Sequence, residues 1–247
     1  HIHADPSEIG RVYRPDLAVV GQPGPVVKQL AAAAKARAGG EWLRGARADY
    51  TAWQQPQETP GALKMEQVIA HLNEVLSDDA ILTNGAGNYS AWLHRYYRYR
   101  GWRTQLAPTS GSMGYGLPAA IAAKLHHPDR DVICMAGDGC FQMVSQEFGT
   151  ACQYGAHVIV IISDNGMYGT IRMHQQRHYP LRPSATSLQN PDFAALARAY
   201  GGFGVTVETT AEFGPALAQA RASGLPAILH LKLDPAALSP KLRLEGH

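Results

Sequence analysis

The chain has 247 residues, of which 45% are hydrophobic and 17% are charged, and its formal net charge is +2. This composition is ordinary for a globular protein, and the length allows one large domain or one domain plus a fragment. The small net charge, without a long basic block, argues against nucleic-acid binding. The three cysteines form no Cys-x-x-Cys pair and no even disulfide framework, so we expect a reducing, cytoplasmic location.

Membrane insertion and secretion have no support in the sequence. No apolar run approaches the roughly 20 residues that span a bilayer. The first residues, HIHADP, lack the charged-then-apolar pattern of a signal sequence. Because the chain begins without Met, in what reads as the middle of a strand, we interpret it as a fragment or a processed product.

The first sixty residues contain two interpretable segments. Asp5-Pro6-Ser7 predicts a turn that opens a short helical segment, with Pro at its first position. An Ala-rich stretch with apolar residues at helical spacing predicts a helix from Val26 to Arg37. The next twenty residues show no clean period, so we interpret 39–61 as a linker between a first domain, 1–38, and a second, 62–247.

Beyond residue 62, segments with a helical period alternate with short apolar segments. The predicted helices are Met65 to Leu76, Ser90 to Tyr99, Leu117 to Leu125, Phe141 to Tyr154, Asp192 to Tyr200 and Ala211 to Ala222; the predicted strands are Ala80 to Thr83, Thr104 to Leu106, Asp131 to Ala136, His157 to Ser163, Phe203 to Val207 and Ala227 to Leu233. This alternation predicts an α/β fold with a doubly wound, mainly parallel six-stranded sheet and helices on both faces. Residues 166–188 show no period and are predicted to be irregular.

Three Gly-rich turns fall at predicted strand ends or helix starts: Asn84 to Asn88, Gly111 to Gly116 and Gly137 to Gly139. Ligands of such sheets bind outside the carboxyl ends of the strands. Glycine lets the backbone approach a ligand, and helix N-termini present free N–H groups to an anion, which favours a phosphate-bearing cofactor. None of the turns is a Walker loop, and none has the full dinucleotide-binding fingerprint.

Asp138 lies between two glycines at the end of one predicted strand, and Asn165 lies at the end of the next. Because Asp138 would repel a phosphate, a cation has to lie between them, and hard oxygen ligands favour Mg²⁺. One strand–helix–strand step brings both side chains to the same edge of the sheet. A solvated turn acid is the simpler interpretation of Asp138 alone.

These residues resemble the cofactor motif of thiamine diphosphate enzymes. The flanking motifs narrow the resemblance to the acetolactate synthase and pyruvate oxidase group; they are TNGAGN at 83–88, SGSMGYGLPAA at 110–120, FQM at 141–143 and QE at 146–147. Residues 2–10 are similar to the closing strand and turn of that group's central domain. Residues from 62 onward are similar to its C-terminal, diphosphate-binding domain.

The resemblance implies a cofactor site. The side chains of Asp138 and Asn165 and the backbone carbonyl of Met167 would ligate Mg²⁺, and Met113 would force the two cofactor rings into a folded shape. The full set of implied cofactor-binding residues is Asn88, Tyr89, Gly111, Ser112, Met113, Gly137, Asp138, Gly139, Cys140, Asn165, Met167, Tyr168, Gly169 and Thr170.

The implied activity is decarboxylation or carboligation of 2-oxo acids in a homodimer or homotetramer, with the cofactor carrying the carbanion chemistry. The family's activating glutamate belongs to a pyrimidine-binding domain that this chain does not contain. The missing part or another subunit would therefore complete the active site. A catalytically incomplete cofactor-binding module and an NAD-binding domain that needs no Mg²⁺ are the alternatives from other classes.

His174 stands where acetolactate synthases have a Trp that helps to choose the acceptor. It is therefore the candidate residue on the substrate side, and a non-carboligating decarboxylase or lyase stays open as an alternative. His174 and His178 are four residues apart, a spacing that also suits zinc on a helix. No third ligand accompanies them, so we favour the interpretation that they line a substrate channel.

Overall fold

A computed structural model describes residues 1–35 and 39–244 of the chain. The chain divides into two compact units, His1–Thr51 and Ala52–His247. The predicted helix end at Arg37 and the predicted domain limits at residues 38 and 247 lie outside the described residues.

The first unit contains a small parallel pair of strands, β1 (Ile2–His3) and β2 (Val19–Val20), and a 3-10 helix, Pro6–Glu8. Asp5 caps that helix as predicted, because its Oδ1 accepts from the Ser7 N–H at 2.8 Å. Helix α1 (Pro23–Ala33) begins earlier than predicted. Its first turn can contain prolines because the N–H groups there have no acceptor within the helix.

Helix α2 (Glu41–Trp53) occupies most of the stretch that we predicted to be an aperiodic linker. That prediction was wrong about local structure. All residues of α2 are exposed, Trp42 to 83%. Trp42, Ala46, Tyr50 and Trp53 do recur at helical spacing, so an amphipathic pattern was present in the sequence and was overlooked.

The second unit is an α/β sandwich built on one six-stranded sheet, which confirms the predicted fold class. Its helices are α3 (Met65–Val75), α4 (Ser90–Tyr96), α5 (Gly116–His126), α6 (Asp138–Gln142), α7 (Glu147–Gln153), α8 (Gly169–His178), α9 (Phe193–Ala199) and α10 (Thr210–Ser223). Its strands are β3 (Ile81–Asn84), β4 (Gln105–Leu106), β5 (Val132–Gly137), β6 (Ile159–Asp164), β7 (Phe203–Val207) and β8 (Ala227–Lys232). All neighbouring strands are parallel, in the order β4-β3-β5-β6-β8-β7.

Alternate residues of the central strands enter two separate cores. On one face, Ile133 and Met135 of β5 pack with residues of α3, α4 and α10. On the other, Val132 and Cys134 pack with residues of α5, α7 and α9. A parallel sheet covered on both faces explains why its strands read as continuous apolar runs.

Two local predictions in this unit were wrong. The helix predicted from Phe141 to Tyr154 is two helices, α6 and α7, separated by turn residues. The segment predicted to be irregular contains α8, which buries none of its residues and therefore shows no apolar period. Among the described residues, no helix is both long and apolar enough to cross a membrane.

Candidate cofactor site

A cavity of about 240 Å³ opens at the carboxyl ends of β3, β5 and β6. It lies where the sequence placed a ligand site, because the Gly-rich turns follow these strands or begin the helices beside them. All implied cofactor-binding residues except Ser112 line it: Asn88, Tyr89, Gly111, Met113, Gly137, Asp138, Gly139, Cys140, Asn165, Met167, Tyr168, Gly169 and Thr170. Ser112 is exposed, and its hydroxyl lies 3.0 Å from that of Ser110.

Strand register brings two carboxylates together at this edge. Gly137 of β5 pairs with Ser163 of β6, so the next residues, Asp138 and Asp164, are neighbours. The Asp138 side chain is buried; its Oδ1 accepts from the Gly139 N–H at 2.8 Å and its Oδ2 accepts from Asn190 at 2.8 Å. Burial raises the pKa of the Asp138 carboxyl to about 6, because the charged form has lost water.

Asp164 has the opposite electrostatic environment. Its Oδ2 accepts from His230 Nε2 and Lys232 Nζ, each at 2.7 Å, and its Oδ1 accepts from Asn190 at 2.6 Å. Burial raises the pKa of the Asp164 carboxyl, but these hydrogen bonds outweigh burial and hold that pKa well below its usual range. Asp164 is therefore a carboxylate at neutral pH.

Four residues of this network were not predicted from the sequence: Asp164, Asn190, His230 and Lys232. A signal was present for two of them, because His230 and Lys232 interrupt the apolar strand β8 at alternate positions, on one face of the sheet. Polar groups in a buried strand need partners. Lys232 pairs in register with Asp164, and the buried His230 pairs with Ile162 two residues earlier.

Glycines shape the cavity in two ways. Gly111 and Gly114 have φ of 70° and 83°, a region that side chains with a Cβ rarely adopt, so the turn around Met113 depends on them. At Gly137, a Cβ would come within 2.7 Å of the Tyr89 ring, and at Gly139 within 2.6 Å of the Tyr168 ring. Glycine at these two positions therefore lets the Tyr89 and Tyr168 rings pack directly against the backbone.

The Cys140 thiol joins these turns to one another. Its Sγ accepts from the Gly114 N–H at 3.1 Å and from the Tyr89 hydroxyl at 3.3 Å. Cys140 is buried, and the sulfur is already occupied by these two donors. The side chain therefore holds neighbouring turns in place.

Helix α8 forms one wall of the cavity through its first turn. Thr170 Oγ1 accepts from the Asn88 N–H at 3.0 Å. His174, one turn further, is exposed and does not line the cavity; its ring lies parallel to that of His178, with centroids 6.0 Å apart. In the part of the chain that the structure describes, no three His, Cys, Asp or Glu side chains group as metal ligands, so the zinc alternative gains no support.

The donor set fits a diphosphate held through a cation. Asp138 and Asn165 reach the cavity with oxygen-bearing side chains, and the Gly-rich turns supply backbone. Among its lining residues within the described chain there is no Lys, Arg or His. An anion beside the Asp138 carboxylate would be repelled unless a cation lay between them.

Comparison with known proteins gives a family match and several similar relatives. Residues 85–231 match the model of the thiamine pyrophosphate enzyme, C-terminal TPP binding domain. The chain is 34% identical over 237 residues to an acetolactate synthase of Mycobacterium bovis, which covers 90% of this chain and 38% of that relative. It is 35% identical over 218 residues to an acetolactate synthase large subunit of Parasynechococcus marenigrum, covering 84% of this chain and 34% of the relative.

The large subunit of acetolactate synthase from Corynebacterium glutamicum is similar to the same extent, with 34% identity over 236 residues, 90% of this chain and 37% of the relative. The chain thus spans between a third and two fifths of the length of these curated relatives. The family match begins directly after β3; it covers β4 to β7, β8 except Lys232, and the three Gly-rich turns except Asn84. The chain therefore belongs to the thiamine pyrophosphate enzymes, in the acetolactate synthase group, and carries their C-terminal cofactor-binding domain.

Proposed function

We propose that this chain binds the diphosphate of thiamine diphosphate through Mg²⁺ and forms half of an active site that decarboxylates 2-oxo acids and joins the product to a second carbonyl, as an acetolactate synthase does. The observation that supports the magnesium is the buried Asp138 carboxylate in a cavity without basic side chains among the described lining residues. Asp138, Asn165 and the Met167 carbonyl would hold the ion.

The residues of this chain bind and orient rather than react. The Cys140 backbone N–H would donate to the diphosphate, whereas the Gly139 N–H already donates to Asp138 Oδ1 at 2.8 Å. The Gly111 carbonyl would accept from the pyrimidine amino group. Met113 packs against the core beneath the cavity, where it can support a folded cofactor. When bound, the cofactor supplies the carbanion chemistry.

The activating glutamate would come from a pyrimidine-binding domain in the missing part or another subunit, in a homodimer or homotetramer. The match of this chain to only part of each relative supports this arrangement. The alternative is a simple decarboxylase or lyase. It is motivated by His174, which stands where acetolactate synthases have a Trp. Pyruvate converted to acetolactate by the full-length protein would support carboligation, and acetaldehyde alone would support the alternative.

Calorimetry tests the cofactor site directly. Thiamine diphosphate should bind the full-length protein with Mg²⁺ and lose affinity in EDTA. Asp138→Asn removes the only carboxylate among the proposed ligands, so we expect at least about a hundredfold weaker binding with Mg²⁺ present. Binding that is unchanged by EDTA and by Asp138→Asn would refute the magnesium assignment. Metal-independent binding of NAD would instead support the dinucleotide alternative.

A further inference from the structure

We propose that Asn190 is a positioning residue for the magnesium site: its side-chain amide orients the Asp138 carboxylate toward the cation and keeps Asp164 out of the coordination sphere. This inference rests on the proposed function. Asn190 lies outside the strand ends and the Gly-rich turns, and it does not line the cavity. Its contacts nevertheless decide which of two adjacent carboxylates can accept a metal ion.

The two carboxylates differ in how many acceptor positions remain. A carboxylate has about four lone-pair positions. Asp164 uses all four, because its Oδ1 accepts from Asn190 and from the Gly166 N–H at 3.0 Å, while its Oδ2 accepts from His230 and Lys232. Asp138 uses two, one on each oxygen. Asp138 alone can therefore ligate a cation without losing an existing hydrogen bond.

Asn190 fixes the orientation of the Asp138 carboxylate. The Gly139 N–H holds Oδ1 and the Asn190 amide holds Oδ2, both at 2.8 Å, so the carboxylate plane cannot rotate without breaking one of these bonds. A metal ligand that is held at both oxygens is preorganised, as is common for partners that orient the ligands of metal ions.

The orientation of Asn190 is itself determined by its neighbours. Its Nδ2 has two protons, one for Asp138 and one for Asp164, and its Oδ1 accepts from Gln142 Nε2 at 2.8 Å. An amide turned the other way would place an oxygen between two carboxylates. The following Pro191 restricts the Asn190 backbone to extended conformations.

The Asn190 amide also reduces the electrostatic repulsion between Asp138 and Asp164. Strand register forces two buried carboxylates to be neighbours, and without a donor between them they would repel each other. Lys232 lies 2.7 Å from Asp164 and balances its negative charge. The negative charge of Asp138 is therefore available to attract a cation. One amide, donating to both, separates a structural carboxylate from a metal-binding one.

The test titrates Mg²⁺ into the full-length protein at saturating thiamine diphosphate, and then titrates thiamine diphosphate at saturating Mg²⁺. For Asn190→Ala we expect the apparent Kd for Mg²⁺ to rise about 10- to 100-fold, the usual cost of losing a partner that orients a metal ligand. At saturating Mg²⁺, the Kd for thiamine diphosphate should stay close to that of the wild type. Mn²⁺ binding followed by electron paramagnetic resonance gives the same comparison without catalysis.

Asp192→Ala is the matched control. It removes the cap of α9 and should cost about 1 kcal/mol of stability, yet it leaves both bonds of Asn190 to the carboxylates intact. A merely structural role for Asn190 predicts the same Mg²⁺ affinity in Asn190→Ala as in this control. That result would overturn the inference.

Gln142→Ala provides a second variant if Asn190→Ala does not fold. Gln142 is exposed, and its loss frees the Asn190 amide to turn, so we expect a smaller rise in the Kd for Mg²⁺. An unchanged Kd in Gln142→Ala would then count against the inference. If the wild-type protein binds thiamine diphosphate without any need for Mg²⁺, the proposed function fails, and the inference fails with it. If the wild-type protein needs Mg²⁺ but Asn190→Ala has the same Kd for Mg²⁺, the inference alone is overturned.

Discussion

Two regions of the cavity are built in different ways. We define the strand-end floor as residues 137–140 with Asp164 and Asn165. It continues directly from β5 and β6. Its two carboxylates accept hydrogen bonds from a polar network that consists of Asn190, His230 and Lys232. The α8 wall, defined as 167–178 with 233–244, packs through a small separate cluster whose buried members are Met167, Leu238 and Leu244. Helix α8 itself buries no residue.

This difference in packing predicts that the floor tolerates substitutions less well than the wall. Substitutions in the floor disturb buried charges and tightly packed turns, where single changes cost several kcal/mol. Substitutions in the wall disturb few buried contacts, and regions of that kind open locally at low free energy. The wall can therefore change in sequence with less effect on stability than the floor.

The largest effect that we predict for the floor is that of Asp164→Asn. The substitution removes the charge that pairs with Lys232, and breaking a buried ion pair costs about 3–5 kcal/mol. Because the Lys232 side chain is 45% exposed and can turn to water, we expect the lower end of that range. Urea unfolding at pH 7 measures it; a loss below about 1 kcal/mol would make the floor no more sensitive than the wall.

The difference in stability between wild type and Asp164→Asn should also depend on pH. The pKa of Asp164 is lowered from 3.8 in the folded state, so its contribution to stability is present above pH 3.8 and is lost as pH falls through the folded-state pKa. The difference in unfolding free energy between wild type and Asp164→Asn should therefore shrink as the pH is lowered from about 4 to about 2. A difference independent of pH in this range would contradict the ion pairing.

Most of the floor was predictable from sequence and most of the wall was not. Strands buried on both faces read as apolar runs, and parallel strands end at one edge, so Asp138 and Asn165 could be placed together. Helix α8 carries no apolar stripe and left no pattern. The thirteen implied residues that line the cavity came from motif resemblance rather than periodicity.

The polar network beneath the floor escaped prediction for a topological reason. Strand β8, and not the preceding β7, lies beside β6, so the pairing of Asp164 with Lys232 depends on a strand order that the sequence does not state. Asn190 reaches the two carboxylates from an aperiodic segment. Long-range register, unlike local period, cannot be read from a single sequence.

Two leucines allow the packing of the regions to be compared directly. Leu229 of β8 is fully buried in the main core, and Leu229→Ala should cost about 2–5 kcal/mol. Leu238 of the wall is also buried but borders the cavity, so it loses fewer contacts, and Leu238→Ala should cost less than about 2 kcal/mol. Urea unfolding compares the two; equal losses would show that the wall is as tightly packed as the core.

The smallest predicted effect is that of His174→Ala, which tests whether the wall keeps His174 away from the cofactor. His174 is exposed and one helical turn beyond the cavity-lining Thr170, so its removal should change stability by no more than about 0.5 kcal/mol and leave the Kd for thiamine diphosphate within about twofold. Thr170→Ala, which removes the acceptor for the Asn88 N–H, is the matched variant and should weaken binding more. A larger effect of His174→Ala on the cofactor would mean that α8 turns inward when the site fills. A change in product from pyruvate with unchanged cofactor affinity would instead place His174 on the substrate side, which is the role that the sequence predicts.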